Sequence, residues 1–305
     1  MAPSIERKGG CRESMAGERI VTIVVPFFNQ ISYLVQALRS VVSAPSRGFR
    51  VKVVLFDNAS EEQLHTSLLD EMGLDWTLFR NQVNLAVSKP WNTGIRLALE
   101  VHGAEAVCLL NSDVIVGEGW IEHCMRALDE GAYCSFPLAY TDGGALPGDF
   151  DARAKLAAAD RLEEAYANLR LENNHQPVED CYSIAYRNPP TNLLPPAHPT
   201  DGFCGYCFFV SRECIEKIGY FDEAMMLLYS DVDYRNRLID AGHPPVCVHR
   251  CLLHHFGSRT ILPLLEAPGP KTTMASDKEY FYRKWNTAYS RSWRNHCIGI
   301  NSEVP

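Results

Sequence analysis

Short polar residues stand wherever an apolar run of the N-terminal half stops. Asn29 follows Val21-Thr22-Ile23-Val24-Val25-Pro26, Asp57 and Asn58 follow Val51 to Phe56, and Asn111, Ser112 and Asp113 follow Ala106 to Leu110. A short acid flanked by small polar groups at a strand end can bind a hydrated divalent cation and the phosphates it bridges. Asp also caps turns, and for Asp57 or Asp113 alone the two readings stand level. Further along, Tyr229-Ser230-Asp231-Val232-Asp233 supplies two carboxylates that are either reacting groups or first-turn acids favoured by a helix dipole. Near the end of the last apolar run, His254 and His255 suit interior positions satisfied by backbone, and Arg259 offers a fork of donors for phosphate. Cys247, His249 and Cys251 alternate, with His254 close behind, as a set of zinc ligands would. Their spacing matches no common structural zinc site, and residues at period two on a strand are more often core.

These groups need strand ends to hold them, and the chain supplies strands in alternation with helices. The β-branched run from Val21 reads as a buried parallel strand. Ile31, Leu34, Val35, Leu38, Val41 and Val42 then form one helical face. Strands at Val51 to Phe56, Trp76 to Phe79 and Ala106 to Leu110 follow, with helices from about Trp91 to Val101 and around Trp120 to Leu128. Such alternation implies right-handed crossovers and an α/β fold with a mostly parallel sheet covered on both faces. After Pro137 the pattern breaks into Gly143-Gly144, an Ala/Glu/Arg-rich helical stretch from Asp151 to about Asn173, and a proline-rich loop. Regular elements resume with a strand at Cys207 to Val210, a helix near Glu213 to Ile218, a helix after Asp231 and a strand from Val246 to Leu253.

Composition narrows the class. With 305 residues, 46% hydrophobic and 22% charged, the chain can bury a large core as one domain. Its formal charge of −8 repels phosphate backbones at long range, which disfavours a nucleic-acid partner. The cysteines number eleven, an odd count, and several fall inside apolar patterns where a thiol serves as a small hydrophobe. With no signal-peptide pattern and no apolar run of about 18 residues, the expectation is a cytoplasmic protein without a membrane span.

The ordered blocks Val21 to Asn29, Phe56-Asp57-Asn58-Ala59-Ser60, and Leu109 to Val116 with Gly119-Trp120 closely behind resemble the family-2 glycosyltransferases of GT-A fold, in their rhamnosyltransferase-like subgroup. Asn84-Leu85-Ala86 through Asn92-Thr93-Gly94 is similar to the family's asparagine-to-asparagine-glycine stretch, with Ala86 where a glycine is usual. Gly205 to Glu213, Ile218 to Glu223, Tyr229 to Asp233 and the late His254-His255-Phe256-Gly257 resemble the acceptor-side half. The blocks span roughly residues 20 to 260 in order, which makes chance agreement improbable in a way no single motif does.

Carried over residue by residue, the resemblance implies donor contacts from Pro26, Phe28, Asn29, Asp57, Asn58, Asn84, Asn92, Asn111, Ser112 and Arg259. It implies Mn²⁺ or Mg²⁺ held by Asp113 and His255, a catalytic base at Asp231 acting with inversion, and acceptor contacts from Gly205, Tyr206 and Ser230. Asn111 and Ser230 stand where relatives commonly carry acids. The implied organisation is a flexible tail 1–18, a GT-A domain 19–260 and a C-terminal helical extension 261–305. Within the domain lie a nucleotide-sugar half 19–137, an insertion 138–201 and an acceptor half 202–260. The implied partners are a nucleotide-sugar donor and a glycan or glycolipid acceptor, with protein and modified nucleic acid as lesser alternatives. The competing reading is a non-catalytic nucleotide-sugar-binding or scaffold protein of the same fold.

Overall fold

A computed structural model describes residues 3–8, 18–44, 46–141, 197–199, 203, 205–256 and 270–285. Its strands are β1 (Ser4–Arg7), β2 (Arg19–Phe27), β3 (Phe49–Asp57), β4 (Trp76–Arg80), β5 (Ala106–Leu110), β6 (Val114–Ile115), β7 (Cys134–Thr141), β8 (Ala197–Pro199), β9 (Cys207–Ser211) and β10 (Val246–His255). The helices are α1 (Ile31–Ser43), α2 (Thr66–Glu71), α3 (Ser88–Arg96), α4 (Trp120–Asp129), α5 (Arg212–Ile218), α6 (Ser230–Asp240) and α7 (Pro270–Trp285). A wider π turn, Leu97–Val101, continues α3.

The strands form one sheet in the order β1-β4-β3-β2-β5-β9-β7-β10-β6, with β8 on β10. Strands β4, β3, β2 and β5 run parallel. Each is apolar on both sides because helices cover both faces. Val21, Ile23 and Val25 point to one face and pack with Leu34 and Leu38 of α1 and with Trp120 and Cys124 of α4. Val24, Val54, Val107 and Leu109 point to the other and pack with Trp91 and Ile95 of α3 and with Tyr234 and Leu238 of α6. Helix α3 lies so close to β2 that a Cβ built on Gly94 falls 2.4 Å from Val24 Cγ1. Glycine is required there by proximity.

Three sequence expectations meet the structure here. The mostly parallel α/β sheet is found, its parallel order running from β4 through β3 and β2 to β5. Beyond it β9 runs antiparallel to both β5 and β7, and β10 pairs parallel with β7 but antiparallel with β6 and β8. The apolar run of β9 declares burial, and burial is silent on direction. Second, Ser4–Arg7 is not a tail but an edge strand antiparallel to β4, fixed by Arg80 Nε to Glu6 Oε1 at 2.7 Å. Third, the segment 138–201 begins and ends inside the sheet, since β7 runs on to Thr141 and Ala197–Pro199 pairs with β10. The helical stretch expected over 151–173 lies outside the described residues.

Candidate functional site

The polar strand ends converge on one edge of the sheet. Asp57 closes β3 and is buried. Its Oδ1 accepts from the Ser60 amide (2.8 Å) and its Oδ2 from Arg80 Nη1 (3.1 Å), whose Cα lies opposite in register. The Ser60 hydroxyl accepts from the Asn29 amide at 2.7 Å, and Asn29 Oδ1 accepts from Glu61 N at 2.8 Å, so the loops after β2 and β3 are laced together. Asn58 Nδ2 donates to the Ala86 carbonyl at 2.8 Å, while its Oδ1 accepts from Asn81 Nδ2 at 3.0 Å. Asn84 Oδ1 accepts from Ala86 N at 2.8 Å, folding the exposed 84–86 turn toward the same place. Pro26 is buried within β2, and Phe28 is half-buried just beyond it.

The second part of the site follows β5. Asn111 is half-buried and its amide donates to the Tyr206 carbonyl at 2.8 Å, while Ser112 and Asp113 are buried. Antiparallel pairing of β6 with β10 sets His255 opposite Val114, and His255 Nε2 lies 3.4 Å from Asp113 Oδ1. Alternation along β10 sends the neighbouring histidine the other way: His254 is buried edge-on to Phe256, ring centroids 4.3 Å apart. Cys247 is core as well, and burial pushes its thiol up to about 12. The side chains of His249 and Cys251 lie outside the described residues, as does Arg259.

The third part is the start of α6. Asp231 is half-buried, its Oδ2 accepting from Gly205 N at 2.9 Å and its Oδ1 from Val232 N at 2.8 Å. Burial holds its carboxyl above the usual range, against the pull of those two amides and the charge of Arg235. A Cβ on Gly205 falls 2.9 Å from Asp231 Cβ, so only glycine lets the two approach. Tyr206, the next residue, tilts its ring over His255 at 5.4 Å and donates its hydroxyl to the Pro137 carbonyl. Gly205-Tyr206 therefore joins the Asp113–His255 pair to Asp231. Ser230 is buried as the first residue of α6.

Asp233, one turn along, is fully buried and holds Arg237 Nε at 3.0 Å and Lys284 Nζ at 2.8 Å. It is structural.

A family model described as glycosyl transferase family 2 matches residues 22–219. The chain belongs to this family. No curated protein matches the chain as a sequence. Among solved structures, GalNAc-T7 with UDP, GalNAc and Mn²⁺ superposes with a TM-score of 0.56 at 15% identity, over 79% of this chain and 44% of that one. Residues 1–349 of S. aureus TarS give 0.50 at 12% identity, over 92% and 75%. The mannosyltransferase PcManGT from Pyrobaculum calidifontis, in complex with GDP-Man and Mn²⁺, gives 0.49 at 16% identity, over 78% and 56%. The first two likenesses bear on the fold, which is GT-A. The chain spans less than half the length of the first of these chains.

Within the family-2 frame, Asn92 departs from its expected place among the donor contacts. It is buried, its Nδ2 donating to the Phe221 carbonyl (3.0 Å) and Glu223 Oε1 (2.9 Å) while its Oδ1 accepts from Phe221 N (2.9 Å). It clamps α3 to the chain that leads into α6. Sequence reasoning missed Arg80, Ser60 and Asn81, which hydrogen-bond the side chains of Asp57 or Asn58. The signal for Arg80 was its position at the end of the adjacent parallel strand.

Non-glycine residues with positive φ gather around this edge: Asn29 (51°), Gln30 (55°), Ala59 (65°), Ala86 (57°) and Tyr229 (66°). Strained backbone persists where surrounding structure over-determines it, and such positions cluster at functional sites. Ala86 occupies the family's usual glycine position, and its left-handed φ supplies the reason for that glycine. Left-handed backbone costs a Cβ-bearing residue about 1–2 kcal/mol, part of which glycine's unfolded-state entropy offsets. Ala86→Gly is therefore expected to stabilise the protein by up to about 1 kcal/mol, a rise of a few degrees in melting temperature by calorimetry. A lower melting temperature would show that the turn is not strained.

Proposed function

We propose that the chain is an inverting glycosyltransferase. It moves a hexosyl or deoxyhexosyl group from a nucleoside-diphosphate sugar to an acceptor hydroxyl, with Asp231 as base and Mn²⁺ or Mg²⁺ held by Asp113 and His255. The observation that carries this reading is the continuity of the three parts. The carboxyl ends of β3, β2 and β5 lie side by side in the parallel sheet, the Asn111 amide donates to the Tyr206 carbonyl, and Gly205-Tyr206 links the Asp113–His255 pair to the carboxylate of Asp231.

The residues fit a divalent cation. Asp113 and His255 would hold the ion by one carboxylate and one imidazole, with phosphate oxygens and water as its further ligands. When bound, such an ion would supply positive charge against the diphosphate leaving group. Asp57 and Asn58, with Pro26, Phe28, Asn29 and Asn84 around them, enclose the nucleoside, and Asn111, Ser112 and Arg259 serve the diphosphate. Asp231 takes the proton of the acceptor hydroxyl while that oxygen bonds to the anomeric carbon and the bond to diphosphate breaks. Single displacement inverts the configuration. Because the Gly205 and Val232 amides hold the carboxylate still, proton transfer and orientation act together.

The acceptor is taken to be a glycan or glycolipid intermediate, bound across Gly205, Tyr206 and Ser230, in the cytoplasm. No helix among the described residues is long and apolar enough to cross a membrane. The net charge of −8 weighs against nucleic acid.

The test is a thermal-shift panel of UDP-, GDP-, dTDP- and CMP-sugars with and without Mn²⁺, UDP first because GalNAc-T7 was solved with it. A ligand at about a hundredfold over its Kd adds roughly 2.7 kcal/mol. Metal-dependent stabilisation by one nucleotide class, followed by turnover, supports the proposal. Binding without turnover against a range of acceptors moves the non-catalytic reading ahead, a reading suggested by Asn111 and Ser230 standing where relatives carry acids.

A further inference from the structure

The segment 222–229 leads into α6 and so sets where Asp231 stands. It is gripped from several sides. The Met225 carbonyl accepts from Ser88 Oγ, and the Met226 carbonyl from Val87 N at 3.0 Å, which ties the segment to the start of α3. Asn92 clasps Phe221, just upstream, and Glu223 within the segment. The remaining grip comes from the C-terminal helix. Asp277, almost completely buried on α7, accepts from three successive amides: Met226 at 3.1 Å, Leu227 at 2.7 Å and Leu228 at 2.9 Å.

One buried carboxylate on three consecutive N–H groups is a strong, charge-assisted arrangement that fixes backbone direction. The chain then passes directly into Tyr229, a non-glycine residue at φ 66°, and the first turn of α6. The other contacts of α7 frame the same stretch. Lys284 bridges Asp222 (2.7 Å) and Asp233 (2.8 Å), Trp285 Nε1 donates to Asp233 Oδ1 at 2.9 Å, and Phe281 stacks on Tyr229 with centroids 4.9 Å apart.

We propose that Asp277 is the positioning residue for Asp231: by holding the 226–228 amides it fixes the left-handed turn at Tyr229 and so the approach of Asp231 to Gly205. This rests on the assignment of Asp231 as the base. A helix segment remote in sequence thereby becomes part of the catalytic geometry, and α7 is more than a cover for the apolar patch of Met225, Val232 and Phe281.

The test uses Asp277→Asn in the full chain, which keeps the side chain's shape and one accepting oxygen. Hydrogen exchange at the Gly205 amide, the donor to Asp231, is the readout that needs no activity. It is expected to speed up about tenfold or more while amides of β2 and β3 keep their native rates. Turnover, followed as nucleoside diphosphate released from the sugar nucleotide that stabilises the native protein, is expected to fall about tenfold with the donor KM within twofold of native. Fast exchange confined to 226–228, with Gly205 exchange or kcat native-like, makes Asp277 a helix anchor and overturns the proposal. Uniformly faster exchange across the sheet overturns it too, in favour of global stability. Asp231→Asn is measured alongside: native turnover in that variant rejects the base assignment itself, whatever Gly205 does.

Discussion

Asp231→Asn is expected to lower kcat by about 10²–10⁴-fold, the range a positioned proton-transfer group supplies, while nucleotide-sugar affinity stays within a few-fold of native. The asparagine keeps the shape and can still accept from one of the Gly205 and Val232 amides, so the site remains built and only the proton acceptor is lost. The pH dependence carries a second signature. Burial raises the Asp231 carboxyl above its usual range, so the native kcat is expected to fall on the acid side at a higher pH than an exposed aspartate would give. The residual kcat of the variant should lack that limb. Stability has the opposite sign. A carboxyl whose folded pKa is raised stabilises the fold below its unfolded pKa, and that contribution is lost as pH rises through the folded value. At neutral pH the native protein therefore carries a charge that burial disfavours, and the neutral variant should melt no lower than native. A variant that melts normally, binds donor and turns over at the native rate would remove Asp231 from the chemistry.

Asp231 was singled out through the family resemblance and Asp277 not at all, and the difference is a matter of what each signal encodes. Strands β2, β3 and β5 are buried on both faces, so their apolar runs stood out and their polar ends, Asp57 and Asp113, were found directly. The register of the family resemblance favoured His255 over His254, and alternation along β10 turns His255 toward Asp113 and its neighbour toward Phe256. Strand direction was another matter, because β9 is as apolar as a parallel strand and its register became visible only in pairing. The edge strand Ser4–Arg7 escaped because Ile5 is its single apolar residue and the bond that fixes it joins Glu6 to Arg80 across 74 positions. Asn92 was misplaced for a related reason. An asparagine beside a helix start has one appearance whether its amide faces a ligand or clasps backbone 129 residues away. The Asp277 contacts, 49 to 51 residues from their amides, left no local trace at all.

Asp113→Ala should separate metal-dependent from metal-independent donor binding. Asp113 is the carboxylate of the pair it forms with His255, and Asn111, two residues earlier, offers no charge to replace it. With one acid at the site, Asp113 is expected to supply most of the protein's attraction for Mn²⁺, and its removal should weaken nucleotide-sugar binding in Mn²⁺ by about 100-fold. At a ligand concentration of about a hundredfold over the native Kd, nearly all of the roughly 2.7 kcal/mol of ligand stabilisation then disappears, seen as loss of a thermal shift of several degrees. In EDTA the native protein and the variant should bind the nucleotide alike, because the hydrogen bonds of Asp57 and Asn58 are untouched. His255→Ala should be milder, about tenfold, since water can take the position of a neutral imidazole more readily than that of a carboxylate. An Asp113→Ala protein whose nucleotide binding still responds to Mn²⁺ as strongly as native would place the ion elsewhere and leave the Asp113–His255 contact as a structural link between β6 and β10.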